Sequence, residues 1–304
     1  MNVRFGICAD LHSDYIHDSV ERMEKFIREC KEKKVDFCVD LGDFCAPNSE
    51  NIEHKEKILD MVKTCGLPFY HTYGNHDMDN NSKKEVADLL GEEKVCCSFD
   101  MGGVHFIIAD ACHYYENGCC IPYDRGNYKN AAPYAKVPVL PPSEQSRIRN
   151  EMNKTDFPTV IFSHQSLIES RTGIRNASDF RQCISDTKSK LLMAICGHEH
   201  VDRLEQKDGT YYYCLNSMSY YWAGENYDHT TYREDVESKY FRLRYVFPYR
   251  DPLYAIIEIT DSAIKINGRG SEIVGALPET MNFTKKGLTE PVTASVISRN
   301  LKIN

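Results

Sequence analysis

Short apolar runs alternate with amphipathic stretches along the first two hundred residues, and a polar loop follows each apolar run. This pattern predicts strands that are joined by helices, which favours a parallel sheet with the polar loops at the carboxyl ends of its strands. The first helix is expected to be capped by Asp18, and a later polar helix by Ser143. The other predicted elements are strands at residues 3–8, 35–39, 67–72, 157–162 and 191–196 and helices at residues 52–64 and 179–188.

The pattern differs in two later parts of the chain. After a predicted hairpin of residues 96–99 and 104–109, residues 111–142 carry five prolines and five tyrosines without a clear period. A connection of this length is more often a functional lid than a passive link. Beyond residue 200 short apolar runs follow one another without helices. They predict a second, mostly antiparallel sheet made of residues 211–215, 253–259 and 263–266.

Composition and charge narrow the class of protein. The 304 residues are 41% hydrophobic, enough for a sizeable core, and no apolar stretch reaches the length of a membrane span. A net charge of −8 without any basic block makes nucleic acid an unlikely partner. The first strand starts at Val3, which leaves no room for a signal peptide, and several of the 13 cysteines lie in apolar runs, where free thiols are common. We therefore expect a cytoplasmic protein with one domain over residues 1–270 and a C-terminal tail, residues 271–304, packed on it.

Polar side chains follow five of the predicted strands. Because the carboxyl ends of parallel strands meet at one edge of a sheet, these side chains are expected to converge, although they span nearly two hundred residues. A single histidine in such a loop is more often a satisfied loop residue than a ligand, so only the whole set of side chains indicates a functional site. That set is Asp10, His12, Asp43, Asn75, His76, Asp77, His164, His198 and His200.

Two carboxylates, one amide and four histidines in this set are candidate metal ligands. Carboxylate and imidazole together suit first-row divalent metals such as Mn, Fe or Zn rather than Ca²⁺. Seven ligands are too many for one such ion with an open position, but they suit two ions that share a carboxylate and a bridging solvent. The candidate ligands are Asp10, His12, Asp43, Asn75, His164, His198 and His200.

The motifs at these strand ends resemble the five-block signature of the calcineurin-like metallophosphoesterase superfamily, in the right order. The resemblance covers about the first two hundred residues. It implies an α/β fold, a four-layer α/β/β/α sandwich, with a dinuclear metal centre at the carboxyl ends of the strands. The motifs are Asp10-Leu11-His12, Gly42-Asp43, Gly74-Asn75-His76-Asp77, Ser163-His164 and Gly197-His198-Glu199-His200.

The resemblance also implies a role for each residue. Two cations roughly 3.5–4 Å apart can lower the pKa of a shared water, and the resulting bridging hydroxide would attack phosphorus. His76 is the expected catalytic residue that meets the leaving group, and Asp77 is expected to hold it protonated. The implied ligand sets are Asp10, His12, Asp43 and His200 for one ion and Asp43, Asn75, His164 and His198 for the other, with Asp43 bridging.

The sequence differs from the motifs of some subfamilies, and these differences reduce the number of reactions that the protein is expected to catalyse. Phe44 and Cys45 follow Asp43 in this chain. Protein Ser/Thr phosphatases of this superfamily carry an arginine shortly after the corresponding aspartate, and purple acid phosphatases carry a tyrosine ligand there, so both subfamilies match poorly. The spacing is similar to that of bacterial cyclic-nucleotide phosphodiesterases and Mn-dependent ADP-ribose/CDP-alcohol diphosphatases. We therefore expect a phosphodiesterase or phosphomonoesterase that acts on a small-molecule phosphoester, with a nucleotide-like substrate as one option.

Two alternatives and several residues stay open at this point. A nuclease of the same superfamily would need a basic surface, which the composition does not offer. A non-catalytic binding module would be indicated by the loss of metal ligands from the motifs, yet none of the ligands is missing. The aromatic residues Tyr220, Tyr221 and Trp222 could stack on a base, or they could pack in the second sheet or in a homo-oligomer interface. Arg125 and Arg175 could reach a phosphate, but most loop arginines are simply solvated.

Overall fold

The computed structural model describes residues 1–44, 52–91, 93, 95–131, 137–284 and 290–303. Strands and helices alternate in its first two hundred residues, as the sequence pattern predicts. The strands, in chain order, are β1 (Asn2–Cys8), β2 (Phe37–Asp40), β3 (Phe69–His71), β4 (Ser98–Met101), β5 (Val104–Ile108), β6 (His113–Glu116), β7 (Cys119–Pro122), β8 (Thr159–Phe162), β9 (Leu191–Cys196), β10 (Arg203–Lys207), β11 (Thr210–Cys214), β12 (Tyr220–Trp222), β13 (Val246–Pro248), β14 (Ala255–Thr260), β15 (Ala263–Asn267) and β16 (Arg299–Lys302). The α-helices are α1 (Ser19–Glu32), α2 (Ile52–Thr64), α3 (Lys83–Leu90), α4 (Asn127–Asn130), α5 (Pro142–Lys154), α6 (Ala177–Ile184) and α7 (Glu234–Glu237).

Most strands belong to two six-stranded mixed sheets. The first sheet has the order β16-β15-β14-β1-β2-β3, with β1, β2 and β3 parallel. The second has the order β10-β11-β9-β8-β5-β4, and its four central strands are parallel. The parallel strands of both sheets therefore lead into the loops that carry the candidate ligands.

The two sheets pack face to face through aromatic side chains. Phe5 of β1 stacks on Phe37 of β2 with ring centroids 5.0 Å apart, and it meets Phe106 of β5 and Phe162 of β8 edge-on at 5.6 Å. All four side chains are fully buried, and burial of each such residue contributes about 1.5–3 kcal/mol to stability. This contact fixes the position of one set of strand ends against the other.

Helices cover the outer face of each sheet. Phe26 of α1 and Ile58 of α2 share an apolar cluster with Phe69 of β3. On the other side, Ile148 of α5 and Phe180 of α6 pack with residues of the second sheet. The α/β class expected from the sequence is confirmed, and the clusters give the order helix, sheet, sheet, helix.

The prediction of a separate antiparallel sheet after residue 200 is wrong. Strand β11 pairs in parallel with β9 and belongs to the second sheet, while β14 pairs antiparallel with β1 and extends the first. Residues 255–257 of β14 are buried between the inter-sheet core and the helix layer, so the strand belongs inside an existing sheet. A short apolar run shows that a strand is buried but not which neighbour it pairs with.

The C-terminal segment contributes to the core as well as to the surface. Part of the predicted tail, residues 271–304, forms the edge strand β16, which pairs antiparallel with β15. Ala294 and Val296 are buried in the cluster between the sheets. Residues 285–289 and 304 of this segment lie outside the described residues.

The proline- and tyrosine-rich segment, residues 111–142, holds more regular structure than the sequence pattern predicts. Strands β6 and β7 form a hairpin, and α4 follows it. Asn117 and Gly118 at the turn have positive φ angles of 52° and 79°, which is typical of an Asn-Gly hairpin turn. Residues 132–136 lie outside the described residues.

The start of the first helix also differs from the expectation. Asp18 occupies the cap position of α1, but its side chain accepts no hydrogen bond from the backbone of the helix. Its carboxylate instead accepts a hydrogen bond from Arg22 Nε at 2.7 Å. The buried guanidinium of Arg22 in turn donates to the carbonyl oxygens of Met218 and Tyr249, so this end of the helix is tied to a distant loop.

Candidate metal centre

The loops at the carboxyl ends of the parallel strands have an uncommon backbone conformation. Five candidate ligands have positive φ angles, which cost a residue other than glycine about 1–3 kcal/mol each. Backbone hydrogen bonds of 3.0 Å, from Asp10 to Gly42 and from His12 to Asp43, hold two of the loops together. The five angles are 53° at Asp10, 49° at His12, 53° at Asp43, 69° at His198 and 55° at His200.

A close backbone approach explains one glycine of the motifs. A Cβ atom at Gly74 would lie 2.0 Å from the backbone nitrogen of Asp43. Any larger residue would therefore push the loop after β3 away from the loop after β2. Glycine at this position lets Asn75 and Asp43 reach the same site.

The predicted ligands converge in two groups. In each group the ligand atoms all lie within 4.8 Å of one another. Asn75 belongs with the second group, because its Oδ1 lies 3.2 Å from His164 Nε2. The first group is Asp10, His12 and His200, and the second is Asp43, His164 and His198.

The Asp43 carboxylate lies between the two groups. Its Oδ2 is 3.2 Å from His164 Nε2 and 3.9 Å from His12 Nε2. Its Oδ1 accepts a hydrogen bond of 2.7 Å from the backbone N–H of His76. This position is compatible with the shared carboxylate that the sequence predicts.

Hydrogen bonds orient the imidazole rings. The Nδ1–H groups of His164 and His200 each donate to a backbone carbonyl at 2.7 Å, those of Leu41 and Tyr220 respectively. The Nε2 atoms of both rings then carry lone pairs that are directed into the site. His200 Nε2 faces the Nε2 atom of His12 at 3.3 Å.

The charges of this cluster match a cation site. Asp10 and Asp43 are buried, and no lysine or arginine of the described residues forms an ion pair with either carboxylate. Burial would raise the pKa of Asp43, but His164 and His76 hold it well below its usual range. Buried carboxylates need positive charge close by. The donor set and its charge therefore fit divalent metal ions.

The candidate histidines divide into two electrostatic types. Burial lowers the pKa of His12 and of His198 to about 3, so both rings are neutral and can act as ligands. Burial would also lower the pKa of His164, but the Asp43 carboxylate raises it to about 10. Positive charge is thus favoured beside Asp43, and a metal ion bound there would replace the proton and leave the Nε2 lone pair of His164 free to ligate it.

His76 has a carboxylate partner, but this partner is Asp79 rather than Asp77. His76 Nδ1–H donates to Asp79 Oδ2 at 2.9 Å, one turn further along a short 3-10 helix. Burial would lower the pKa of His76, but Asp43 and Asp79 raise it. Asp79 also accepts from the Tyr128 hydroxyl at 2.6 Å and pairs with Lys129 Nζ at 2.8 Å. The expected pairing of His76 with Asp77 is therefore corrected.

Asp77 instead holds the backbone of two loops. Its Oδ2 accepts from the N–H groups of Gly74 at 2.8 Å and Asp43 at 3.1 Å, and its Oδ1 accepts from that of Phe44 at 2.9 Å. These three bonds hold the loops after β2 and β3 together, whereas the hydrogen bond from the His76 ring goes to Asp79. Burial, together with Asp43 and Asp40, raises the pKa of Asp77 to about 7.

A cleft of about 290 Å³ opens above the ligands. We call the seven candidate ligands its floor; His12, Asp43, His198 and His200 line the cleft itself, and the other three ligands lie beneath them in the same two groups or beside them. We call His76, Arg171, Trp222 and Arg242, which line the cleft from exposed or half-buried positions, its rim. Tyr15, Asp79, Arg171 and Arg242 are not among the residues predicted from the sequence. Only Asp79 had a usable signal, since it lies three residues after His76 and could share a helical turn.

The aromatic and basic residues singled out from the sequence lie in different places. Tyr220, Tyr221 and Trp222 all line the cleft. Arg125 instead pairs with Glu85 at 2.7 Å. Asp40 is buried and faces His71 Nδ1 at 3.4 Å, so it stands beside the metal loops without joining them. Cys45, which bears on the comparison with purple acid phosphatases, lies outside the described residues.

The sequence profile of the calcineurin-like phosphoesterases matches residues 3–202. The chain belongs to this family. The matched range contains all seven floor residues, His76 and Asp79. As a calcineurin-like phosphoesterase, the chain is a phosphoric ester hydrolase. A sequence comparison with curated proteins found no match.

Solved structures share the fold at low sequence identity. A dimetal phosphatase from Danio rerio aligns with a TM-score of 0.63 and 13% identity, over 88% of this chain and 96% of its own. GAP50, described as the anchor in the inner membrane complex of Plasmodium, aligns with a TM-score of 0.56 and 14% identity, over 100% and 89%. The purple acid phosphatase PPD1 from yellow lupin seeds aligns with a TM-score of 0.53 and 12% identity, over 97% and 53%. In the part of the chain that the structure describes, no helix is long and apolar enough to span a membrane.

Proposed function

We propose that this phosphoesterase hydrolyses a small-molecule phosphoester with two divalent transition-metal ions held on the floor of the cleft. The observation that carries the proposal is the position of Asp43 between two convergent groups of ligand atoms. Asp10, His12 and His200 would complete one metal site, and the second would be completed by Asn75, His164 and His198. Ligands of this kind suit Mn, Fe or Zn.

The ions would supply Lewis acidity toward phosphate oxygens and would lower the pKa of a water molecule. The protein's own residues contribute orientation and burial. Carbonyl groups fix the rings of His164 and His200, and Asp77 holds the loop that carries Asp43. A phosphate at the floor would therefore meet a site that is already organised, which limits the reorganisation needed during the reaction.

We assign the proton transfer to His76. It lines the cleft, its Nδ1–H is bound to Asp79, and its Nε2 atom is left to face the substrate. Since Asp43 and Asp79 raise the pKa of His76, the ring can hold its proton near neutral pH and give it to the leaving alkoxide. Asp79 acts as a positioning residue in this proposal, because it works through His76.

The two alternative functions have less support. A binding module would not need seven ligands with oriented rings and buried carboxylates. A nuclease would need a basic surface, whereas the chain has a net charge of −8. A binding module would also have no use for the pairing of His76 with Asp79 in an open cleft, whereas hydrolysis has one.

The test is to load the protein with Mn²⁺ and to measure both metal content and hydrolysis of phosphomonoesters, cyclic nucleotides and nucleotide diphosphates. We expect two ions per chain and turnover of at least one of these classes. Binding of fewer than two ions, or no turnover of any class by the fully loaded protein, would contradict the proposal. An apo sample prepared by chelation is the control, and activity should return on addition of Mn²⁺.

A further inference from the structure

Two arginines of the rim form no ion pair, although the buried Asp14 carboxylate lies near enough to Arg242 for their charges to interact. Arg171 and Arg242 both line the cleft, and among the described residues neither guanidinium forms an ion pair with a carboxylate. Most other arginines of the chain are paired, as Arg244 is with Asp228 at 2.7 Å. In a chain with a net charge of −8, two unpaired cations in one cleft indicate a place where an anion binds.

Arg242 is held in place by an aromatic ring. Its guanidinium lies over the ring of Tyr15, 4.2 Å from the centroid, and it donates a hydrogen bond to the Tyr15 hydroxyl. The Tyr15 ring is in turn stacked on His12, with centroids 5.4 Å apart and an interplanar angle of 6°. A stacked guanidinium keeps other N–H groups free for bidentate binding of phosphate or carboxylate. Tyr15 therefore links an anion-binding group of the rim to a ligand of the floor.

Arg171 lies on a loop that is tied to the floor at the neighbouring residue. The Ser170 hydroxyl donates to Glu199 Oε1 at 2.5 Å, and Glu199 stands between the candidate ligands His198 and His200. Glu199 also lines the cleft, but Arg203 already pairs with it at 2.6 Å. The charge of Arg171 is consequently available to a ligand in the cleft.

The two arginines are less buried than the floor residues of the cleft. His12 is buried, whereas Arg242 is half-buried and Arg171 is exposed at the mouth of the cleft. We propose that Arg171 and Arg242 bind a second anionic group of the substrate, outside the phosphate that is hydrolysed at the floor. The substrate class is then a phosphoester that carries a further phosphate or carboxylate. This inference rests on the proposed function, because that proposal places the hydrolysed phosphate at the floor.

Three non-hydrolysable probes test the inference by calorimetric titration of the Mn-loaded protein. Methylphosphonate carries one anionic group, methylenediphosphonate carries two phosphonates, and phosphonoacetate carries a phosphonate and a carboxylate. In Arg171→Gln and Arg242→Gln we expect the Kd of at least one two-anion probe to rise about 10- to 100-fold, the range for a hydrogen bond to a charged group. The Kd of methylphosphonate should change much less. The probe with the larger loss identifies the second anion as phosphate or carboxylate.

Arg175→Gln is the matched control, since Arg175 is an exposed and unpaired arginine close to Arg171 that does not line the cleft. An equal loss for methylphosphonate would overturn the inference, because the arginines would then hold the hydrolysed phosphate itself. An equal loss in Arg175→Gln would also overturn it, since general charge would explain the effect. If none of the three probes binds the Mn-loaded wild type, this inference fails, whereas the proposed function is judged separately by metal content and turnover. Should Arg242→Gln lose Mn²⁺ through Tyr15, Arg171→Gln decides alone.

Discussion

The floor of the cleft is built from the ends of parallel strands in two packed sheets, whereas the rim comes from a loop, strand β12 and two short 3-10 helices that are far apart in the sequence. Most floor residues are buried, and five of them have a strained backbone with positive φ. Of the rim residues, Arg171 is exposed, and His76, Trp222 and Arg242 are half-buried. The difference indicates that the floor fixes the chemistry at a cost in stability, while the rim can change the substrate at little cost.

Two histidines illustrate the same difference. Burial lowers the pKa of His12 to about 3 and leaves a neutral ring for metal binding. His76 keeps about 30% of its side chain exposed, and Asp43 and Asp79 raise its pKa. The two environments thus suit the two roles that we propose, metal ligation for His12 and proton transfer for His76.

The largest expected loss of metal and activity comes from replacing Asp43, the carboxylate that the two metal sites would share. Asp43→Asn should lose both ions and reduce hydrolysis to near background, because Asp43 stands between the two ligand groups. Metal analysis after dialysis, alongside the activity assay, measures both effects. Asp40→Asn is the matched control, as Asp40 is an equally buried carboxylate next to the same loop that belongs to neither group. Two tightly bound ions in Asp43→Asn would remove the bridging assignment.

The next largest loss of activity should come from replacing His76, the rim residue that we propose protonates the leaving group. His76→Asn should reduce kcat about 10²–10⁴-fold for esters with poor leaving groups while both ions remain bound. The loss should be smaller for p-nitrophenyl phosphate, whose leaving group needs little protonation. Steady-state rates for a series of leaving groups, with metal content measured in parallel, check this. An equal loss across the series would assign His76 to charge stabilisation instead.

Asp79 and Asp77 should differ although they are two residues apart. Asp79→Asn should lower activity about 10- to 100-fold, the range seen when the carboxylate partner of a metal-ligating histidine is removed, because His76 likewise depends on Asp79 for its orientation. Because Asp79 raises the pKa of His76, its loss lowers that pKa, and the alkaline limb of the pH–rate profile should move to lower pH.

Asp77→Asn is the comparison for this profile. It should lower the Tm and the Mn content, because it disturbs three backbone hydrogen bonds, and it should leave the alkaline limb where it is. A shift of the alkaline limb in Asp77→Asn but not in Asp79→Asn would restore the partner that the sequence first suggested.

The floor could be predicted from the sequence because strand ends are visible in the apolar pattern. Once β1, β2 and β3 are taken as parallel, Asp10, Asp43 and Asn75 must share an edge. The positive φ angles of the ligands could not be predicted, since Asp and His carry no signal for that conformation as clear as the one glycine gives.

The rim residues and the pairing of the later strands could not be predicted from the sequence, because both depend on contacts between distant parts of the chain. Arg242 meets Tyr15 across more than two hundred residues, and no local pattern encodes that contact. The same limit led to the wrong sheet for β11 and β14, whose partners are set by tertiary packing. The sequence suggests Asp77 as the carboxylate partner of His76, because the two residues are adjacent. On a helical turn, however, adjacent side chains point in different directions, and residues three apart, such as His76 and Asp79, face each other.

The smallest expected effect separates two adjacent aromatic residues of the cleft. Tyr221 is fully buried and packs edge-on against Phe283 at 5.6 Å, whereas Trp222 is only partly buried. Trp222→Ala should therefore weaken binding of a nucleotide-like substrate by the ~1–3 kcal/mol typical of base stacking, with little change for an aryl phosphate. Trp222→Phe keeps a flat face and should recover part of the loss.

Tyr221→Ala should instead lower the free energy of unfolding by about 3–5 kcal/mol, as large-to-small changes in a core do. Thermal melts and KM values for the two substrates, measured on both variants, separate binding from packing. If Trp222→Ala raises KM equally for the nucleotide and the aryl phosphate, Trp222 serves the shape of the cleft rather than a base. If Trp222→Ala lowers the Tm as much as Tyr221→Ala does, Trp222 belongs to the core, and the rim then selects its substrate through charge alone.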